Sequence, residues 1–238
     1  MKEETIEFYN KESSQYSEKR YEGITNSYFQ FVFKRRLTIF LSFFDVLSRD
    51  AKNIKALEIG CADGIVARKL LLVSEDKLDS VVGVDISPDM ISQAKQITHN
   101  PKITYYMRGE EPAALYNLIF ELGVHPYDFE GELKFVSSRL VPEGYFIYSL
   151  ASRGSLQVKF KLKGAAFVND YMDYTDYEKI IVKYFNIVSS EPYGLFIPKL
   201  WAFPGFARIV QPIIEKIFKN IFPNLFHEKV YLLKKKQS

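Results

Sequence analysis

Along the 238-residue chain, short apolar runs alternate with longer stretches in which apolar side chains recur every three or four positions. Runs too short for a helix and bounded by turn residues predict buried strands, and the periodic stretches predict amphipathic helices. Strands are expected at Ala56–Ile59, Ser80–Asp85, Ile103–Tyr106, Leu118–Leu122, Tyr145–Leu150, Asn186–Glu191 and His227–Lys234. Helices are expected over Ile65–Val73, after Ser87-Pro88, over Glu130–Leu140 and over Thr175–Phe185, the last behind a threonine cap. Residues 27–48 form a longer helix, apolar nearly all round except at Lys34, Arg35 and Arg36. Such a helix normally covers one face of a sheet. Val141-Pro-Glu-Gly144 reads as a turn before the fifth strand. Strand and helix in alternation predict an α/β sheet with helices on both faces.

Composition narrows this picture only modestly. The length suits one large α/β domain, with 47% hydrophobic residues to fill its core. A net charge of +3 is too small to argue for a nucleic-acid partner. One cysteine, Cys61, excludes an intramolecular disulfide and fits a reducing, cytoplasmic location. His99, His125 and His227 lie far apart, without the acid or cysteine spacing of a metal site, so no metal is expected. The start Met-Lys-Glu-Glu shows no signal peptide, and no uncharged apolar run is long enough to span a bilayer.

The chemistry concentrates where the first strand ends. Lys55-Ala-Leu-Glu-Ile-Gly-Cys-Ala-Asp-Gly64 is a strand, a glycine-bearing turn and the start of a helix. This arrangement lets backbone approach a ligand closely and points helix N–H groups at it. Neither phosphate-cradling pattern is present, and Glu58, two residues before Gly60, repels a pyrophosphate but suits a cationic amino group. Asp85, at the tip of the second strand, stands 25 residues after Gly60, close to the spacing at which a carboxylate accepts from both ribose hydroxyls.

These residues resemble the first motif of the class I S-adenosylmethionine-dependent methyltransferases, [DE]-x-G-x-G-x-G, with Ala62 in place of the middle glycine. Asp85-Ile-Ser-Pro-Asp-Met90 resembles the second motif, and Tyr116–His125 the fourth. The resemblance implies a single domain: a doubly wound, Rossmann-like, seven-stranded sheet, mostly parallel, with the last strand antiparallel beside the sixth. Residues 1–53 are then an N-terminal helical cap, 54–191 the cofactor-binding core, 192–226 an apolar helical insert and 227–238 the last strand with its basic tail. It implies S-adenosylmethionine as cofactor. Glu58 would meet the methionine end, and Gly60, Cys61, Ala62, Asp63 and Gly64 would form the close turn. Asp85 would take the ribose, Ile86 and Met90 flank the adenine, and Gly109 and Glu110 meet its amine. Glu121, at the end of the fourth strand, is a further candidate cofactor contact, and Tyr16 and Arg20 are candidates to reach the cofactor from the cap. His125 would be the general base if the acceptor is a hydroxyl. The acceptor is expected to be a small molecule, hydrophobic or linked to a lipid or glycan, and oligomeric state is left open.

The insert stands apart. Ile209, Val210, Ile213, Ile214, Ile217, Phe218, Ile221 and Phe222 make one helical stripe, with Gln211, Glu215, Lys216, Lys219 and Asn220 opposite and Pro212 predicting a kink or restart. Leaving eight such side chains in water costs more than about 10 kcal/mol. They are therefore expected to be covered by the body of the protein, the most conservative occupant, or by a second subunit, an apolar substrate or peripheral contact of 195–222 with a membrane surface. Two other classes stay open: a methyltransferase-like binding or scaffold protein without catalysis, and a nicotinamide-dependent oxidoreductase. The latter calls for a third loop glycine where Ile65 stands.

Overall fold

The structure is a computed structural model that describes residues 2–49, 51–74, 76–160 and 171–237. Lys161, Lys163 and Asp170 lie outside the described residues. Seven strands form one sheet: β1 (Ile54–Ile59), β2 (Leu78–Asp85), β3 (Ile103–Met107), β4 (Tyr116–Glu121), β5 (Leu140–Ala151), β6 (Phe185–Leu195) and β7 (Phe226–Lys235). Their order is β3-β2-β1-β4-β5-β7-β6. Strands β1 to β5 pair in parallel, and β7 lies antiparallel between β5 and β6.

The expected architecture is therefore present, and its layers follow from strand alternation. Ile54 and Ala56 join the core under α3 (Tyr28–Leu47), α4 (Ile65–Ser74) and α5 (Pro88–Ile97). Leu57 and Ile59 join the opposite core under α6 (Phe129–Arg139) and α8 (Tyr174–Tyr184). Ser27 caps α3 by accepting from the Gln30 N–H, and Ser87 caps α5 by accepting from the Met90 N–H. Ahead of α3, α1 (Lys2–Glu12) and α2 (Tyr16–Arg20) lie over the carboxyl edge of β1 and β2; α7 (Leu156–Lys159) is a single turn.

Four boundaries differ from the sequence reading, each for a physical reason. Thr175 is not a cap: α8 starts at Tyr174, and the Asp173 carbonyl accepts from the Tyr177 N–H. Val141–Gly144 is a bulge within β5, since Tyr116 pairs with Leu140 but Leu118 with Tyr145, and Glu143 takes φ +63°. Strand β6 runs on through Pro192 to Leu195, which an edge strand tolerates because its outer side needs no donor. Helix α9 (Pro204–Phe218) passes through Pro212 as one element, so of the kink or restart expected there the restart does not occur.

The larger surprise is the side α9 buries. Its buried residues are Ala207, Gln211 and Glu215, whereas Ile209, Ile213 and Ile217 face outward, each more than half exposed. The body of the protein half-buries Val210 and Ile214 of the stripe and leaves the other six exposed. Gln211 donates to the Leu195 carbonyl at 2.6 Å, and Glu215 accepts from the N–H groups of Gly194 (3.0 Å) and Leu195 (2.8 Å). The helix docks by its polar side because that side satisfies the end of β6. No helix among the described residues is long and apolar enough to cross a membrane.

Candidate active site

The carboxyl ends of β1, β2 and β4 meet at the turn Gly60–Gly64. Gly60, Ala62 and Gly64 all take positive φ, +71°, +49° and +77°. A Cβ at Gly60 would collide with the Val124 side chain, and one at Gly64 with the Tyr105 phenol, so glycine is required at both. Ala62 holds the left-handed conformation despite its methyl, because its N–H is tied to Asp85 Oδ2 at 2.9 Å. Cys61 is buried, its N–H on the Val84 carbonyl at 3.0 Å, and burial pushes its thiol well above the usual range. Asp63 is also buried: Oδ1 accepts from the Ile65 N–H at the start of α4, and Oδ2 from the backbone and hydroxyl of Ser17. That carboxylate clamps the N-terminal cover to the turn.

Asp85 accepts through its other oxygen from the Ser87 N–H at 2.9 Å, and burial raises its pKa against these hydrogen bonds. Ile86 is half-buried and Met90 fully buried behind the same turn. Helix α1 crosses here: the Ser87 hydroxyl donates to Asn10 Oδ1 at 2.6 Å, and the nearby phenol of Tyr9 feels the charges of both Arg20 and Asp85.

Two buried charged groups at this site keep atoms without a hydrogen-bond partner. Glu58 Oε2 has no hydrogen bond, and burial drives this carboxyl well above its usual pKa. Arg20 lies against the Tyr16 ring, its guanidinium carbon 4.1 Å from the centroid, and pairs with Glu12. Its Nε and Nη1 donors are buried and unsatisfied. The phenol of Tyr21 feels both Glu58 and Arg20; burial pushes it up to about 12. An unsatisfied acceptor and an unsatisfied donor pair, both near enough to act on Tyr21, are the complement of an amino acid's ammonium and carboxylate.

The remaining candidates are dispersed. Gly109 turns with φ +96°, but Glu110 is exposed, and its neighbour Glu111 turns inward to accept from the Gly109 N–H at 2.6 Å. Glu121 is buried with Oε2 unpartnered, on the α6 side of the sheet beside Ile59 and Tyr148, opposite the face that carries Glu58. Burial raises its pKa, with Glu132 adding to the shift and Arg108 opposing it. His125 is half-buried in the loop after β4, its ring edge-on to Tyr171 with centroids 5.0 Å apart.

Several contributors escaped the sequence reading. Arg36, on α3, is buried with Nε on the Tyr193 hydroxyl (2.9 Å) and on Glu228 Oε2 (2.9 Å), and Nη2 on Glu228 Oε1 (2.6 Å). Its guanidinium packs on Gly123, two residues from His125. The only available signal was an arginine within an otherwise apolar helix. Ser17 and Asn10 carried none. Cavities bounded by Leu47, Ala51 and Tyr145 lie at the opposite, amino edge of the sheet. Helix α1 lies over the carboxyl end of the sheet, held to the start of α5 through Asn10 and Ser87.

A sheet of this order, with a left-handed turn after β1 and an acid ending β2, defines an α/β nucleoside-binding protein of the methyltransferase type. The chain belongs to the methyltransferase domain family, whose pattern matches residues 28–187. Among solved structures, YjhP from E. coli aligns with a TM-score of 0.59 at 13% identity, over 95% of this chain and 99% of that one. The N-methyltransferase NodS from Bradyrhizobium japonicum, in complex with S-adenosyl-L-homocysteine, aligns with a TM-score of 0.55 at 15% identity, over 86% and 87%. An S-adenosylmethionine-dependent methyltransferase from Mesorhizobium loti aligns with a TM-score of 0.53 at 16% identity, over 78% and 92%. Comparison with curated proteins finds no matching sequence. The cofactor is S-adenosylmethionine and the chemistry methyl transfer; the nicotinamide reading is set aside. The unpartnered groups of Glu58 and Arg20 fit the methionine end of that cofactor.

Proposed function

We propose that the chain methylates a small, apolar acceptor bearing a hydroxyl, with His125 as general base. The observation that carries the cofactor half of this reading is the buried, unpartnered oxygen of Glu58 beside the left-handed turn. When bound, the cofactor supplies an activated sulfonium methyl, so the protein's task is chiefly positioning. Glu58 and Arg20 would hold the ammonium and carboxylate, Asp85 the ribose hydroxyls, and Ile86 and Met90 one wall of the base.

The apolar character of the acceptor is supported by the surroundings of His125. Tyr171 packs on the imidazole, and the phenol of Tyr9 lies near enough for Tyr171 to feel it. The charged pair in this neighbourhood, Arg36 and Glu228, is spent on itself. A neutral acceptor suits such walls better than an ionic one. The absence of a basic stripe in the sequence supports a small molecule over nucleic acid.

The test is transfer of isotopic methyl from S-adenosylmethionine into a metabolite extract, followed by solvent partition. Label is expected in the organic phase. His125→Gln should slow its appearance by about 100-fold or more while leaving cofactor affinity unchanged. Label confined to the aqueous phase would refute the apolar acceptor, and an unchanged rate in the variant would refute the base. A second reading, a methyltransferase-like binding protein without catalysis, draws support from α1 lying over the crevice. It predicts calorimetric binding of S-adenosylmethionine with no transfer to any fraction.

A further inference from the structure

Helix α9 is amphipathic the wrong way round for a soluble surface. At 3.6 residues per turn, Phe206, Ile209, Ile213 and Ile217 share one ridge, diametrically opposite the Gln211 and Glu215 that dock the helix. Ile221 and Phe222 continue the ridge past its end. All six are between about one half and two thirds exposed. Single exposed apolar residues need no explanation, but a contiguous ridge of this length does.

The charges around the ridge indicate what covers it. Between residues 195 and 222 the basic side chains are Lys199, Arg208, Lys216 and Lys219, and the sole acid, Glu215, is buried beneath the helix. Lys199 and Lys216 are exposed, and Lys216 flanks the ridge directly. A second copy laid face to face would bring like basic borders together. An anionic lipid surface would meet them with opposite charge while its acyl boundary takes the isoleucines and phenylalanines.

Position gives the contact a purpose. Strand β6 runs parallel to β5, so Leu195, where α9 is fastened, lies at the same carboxyl edge as the glycine turn and His125. Arg208 donates to the Thr25 carbonyl at 3.2 Å, and Trp201 packs on Phe31 of α3 with ring centroids 5.5 Å apart. The ridge therefore belongs to the rim of the crevice and is joined to its N-terminal cover.

We infer that α9 lies in the interface of an anionic membrane, its Phe206–Phe222 ridge sunk among the lipids and its basic border on the headgroups, with the crevice mouth held at the bilayer surface. The test is cosedimentation of the full-length protein with phosphatidylcholine vesicles, with and without phosphatidylglycerol. The parent should pellet with the mixed vesicles and be released by salt. The triple variant Ile209→Glu, Ile213→Glu, Ile217→Glu should partition at least about tenfold less, since the apolar face supplies the insertion. Its melting temperature and its binding of S-adenosylhomocysteine should match the parent, because the altered residues face outward. Lys216→Gln should weaken binding about fivefold on anionic vesicles and leave binding to pure phosphatidylcholine unchanged. A parent that stays in the supernatant with both vesicles, or a triple variant that pellets like the parent, overturns the inference. So does light scattering that shows a dimer dispersed by the triple substitution, which would assign the ridge to a second copy. The cofactor readout is independent, so loss of vesicle binding is distinguishable from loss of the methyltransferase site.

Discussion

Replacing Glu58 by glutamine separates a ligand-waiting carboxylate from a structural one. In the free protein this side chain is 3% exposed, one oxygen has no hydrogen-bond partner, and burial holds its pKa well above 4.5. A carboxylate with a raised folded pKa destabilises the fold as pH rises from its unfolded value toward its folded one. By pH 7 the penalty cannot exceed that of keeping the group protonated. That is about 2.5 pH units above 4.5 at about 1.4 kcal/mol each, or about 3.5 kcal/mol. Glutamine removes the charge but keeps the shape and the acceptor for the Ala67 N–H, at the expense of a buried amide worth roughly 1–2 kcal/mol if unpaired. The unliganded variant should therefore be as stable as the parent or more so, by up to about 2 kcal/mol, or roughly 4–8 °C in a domain of this size.

Cofactor binding should move the opposite way. A hydrogen bond between charged partners contributes about 1.5–3 kcal/mol, so the variant's affinity for S-adenosylmethionine should fall about 10- to 100-fold. In the parent, affinity should rise with pH as the Glu58 proton leaves, and calorimetry in buffers of different ionisation enthalpy should register that release. The variant should show neither effect. Differential scanning fluorimetry and titration calorimetry on the same samples decide it. A variant that melts lower than the parent yet binds the cofactor equally well would refute the assignment, since that is the signature of a framework residue.

Two further outcomes follow from the rim. Ser17→Ala removes the hydroxyl that Asp63 holds, so α2 should loosen: amide exchange over residues 2–20 should quicken while β1 and β4 stay protected, and cofactor association should speed up by about tenfold. Glu228→Gln leaves Arg36 as an uncompensated buried charge and should cost roughly 3–5 kcal/mol at pH 7 by urea unfolding. Burial raises the Glu228 pKa, but Arg36, His227 and Tyr193 outweigh it and hold the group below 4.5, while burial holds His227 below 6.5. Both groups bind fewer protons folded than unfolded. The stabilisation these two groups supply should therefore be full above about pH 6.5 and be lost as pH falls, and the difference in stability between parent and variant should narrow as pH drops below 4.5.

The sheet was legible because its signals are local. Ala56–Ile59 and Ser80–Asp85 are too short and too apolar for anything but buried strands, and the Gly60–Gly64 turn needs its glycines to clear Val124 beyond β4 and Tyr105 on β3. Asp85 was readable for the same reason, lying at a fixed spacing on a regular element. The cover was not, because Ser17 reaches Asp63 across 46 residues and Asn10 reaches Ser87 across 77, and neither serine nor asparagine advertises such a contact. Glu110 and Glu111 show the limit at single-residue scale. Which of two adjacent acids turns inward depends on the φ of Gly109, and no spacing rule supplies that angle.

Helix α9 shows a different limit. Periodicity measures how wide an apolar stripe is but says nothing about which side faces the body. The usual assumption, that the apolar side packs inward, rests on burial contributing about 25 cal/mol per Å2 with nothing to oppose it. Here something does oppose it. Gly194 and Leu195 end an edge strand with two N–H groups and a carbonyl to satisfy, and Glu215 and Gln211 are the side chains that satisfy them. Turning the helix over would bury its isoleucines but strand three backbone groups, at about 1–3 kcal/mol each, together with the Glu215 carboxylate that accepts from two of them. The polar side wins the protein surface, and the apolar ridge is left for whatever lies outside it. An amphipathic helix can therefore be recognised from sequence, but its orientation is decided by the hydrogen-bonding needs of the strand it lands on.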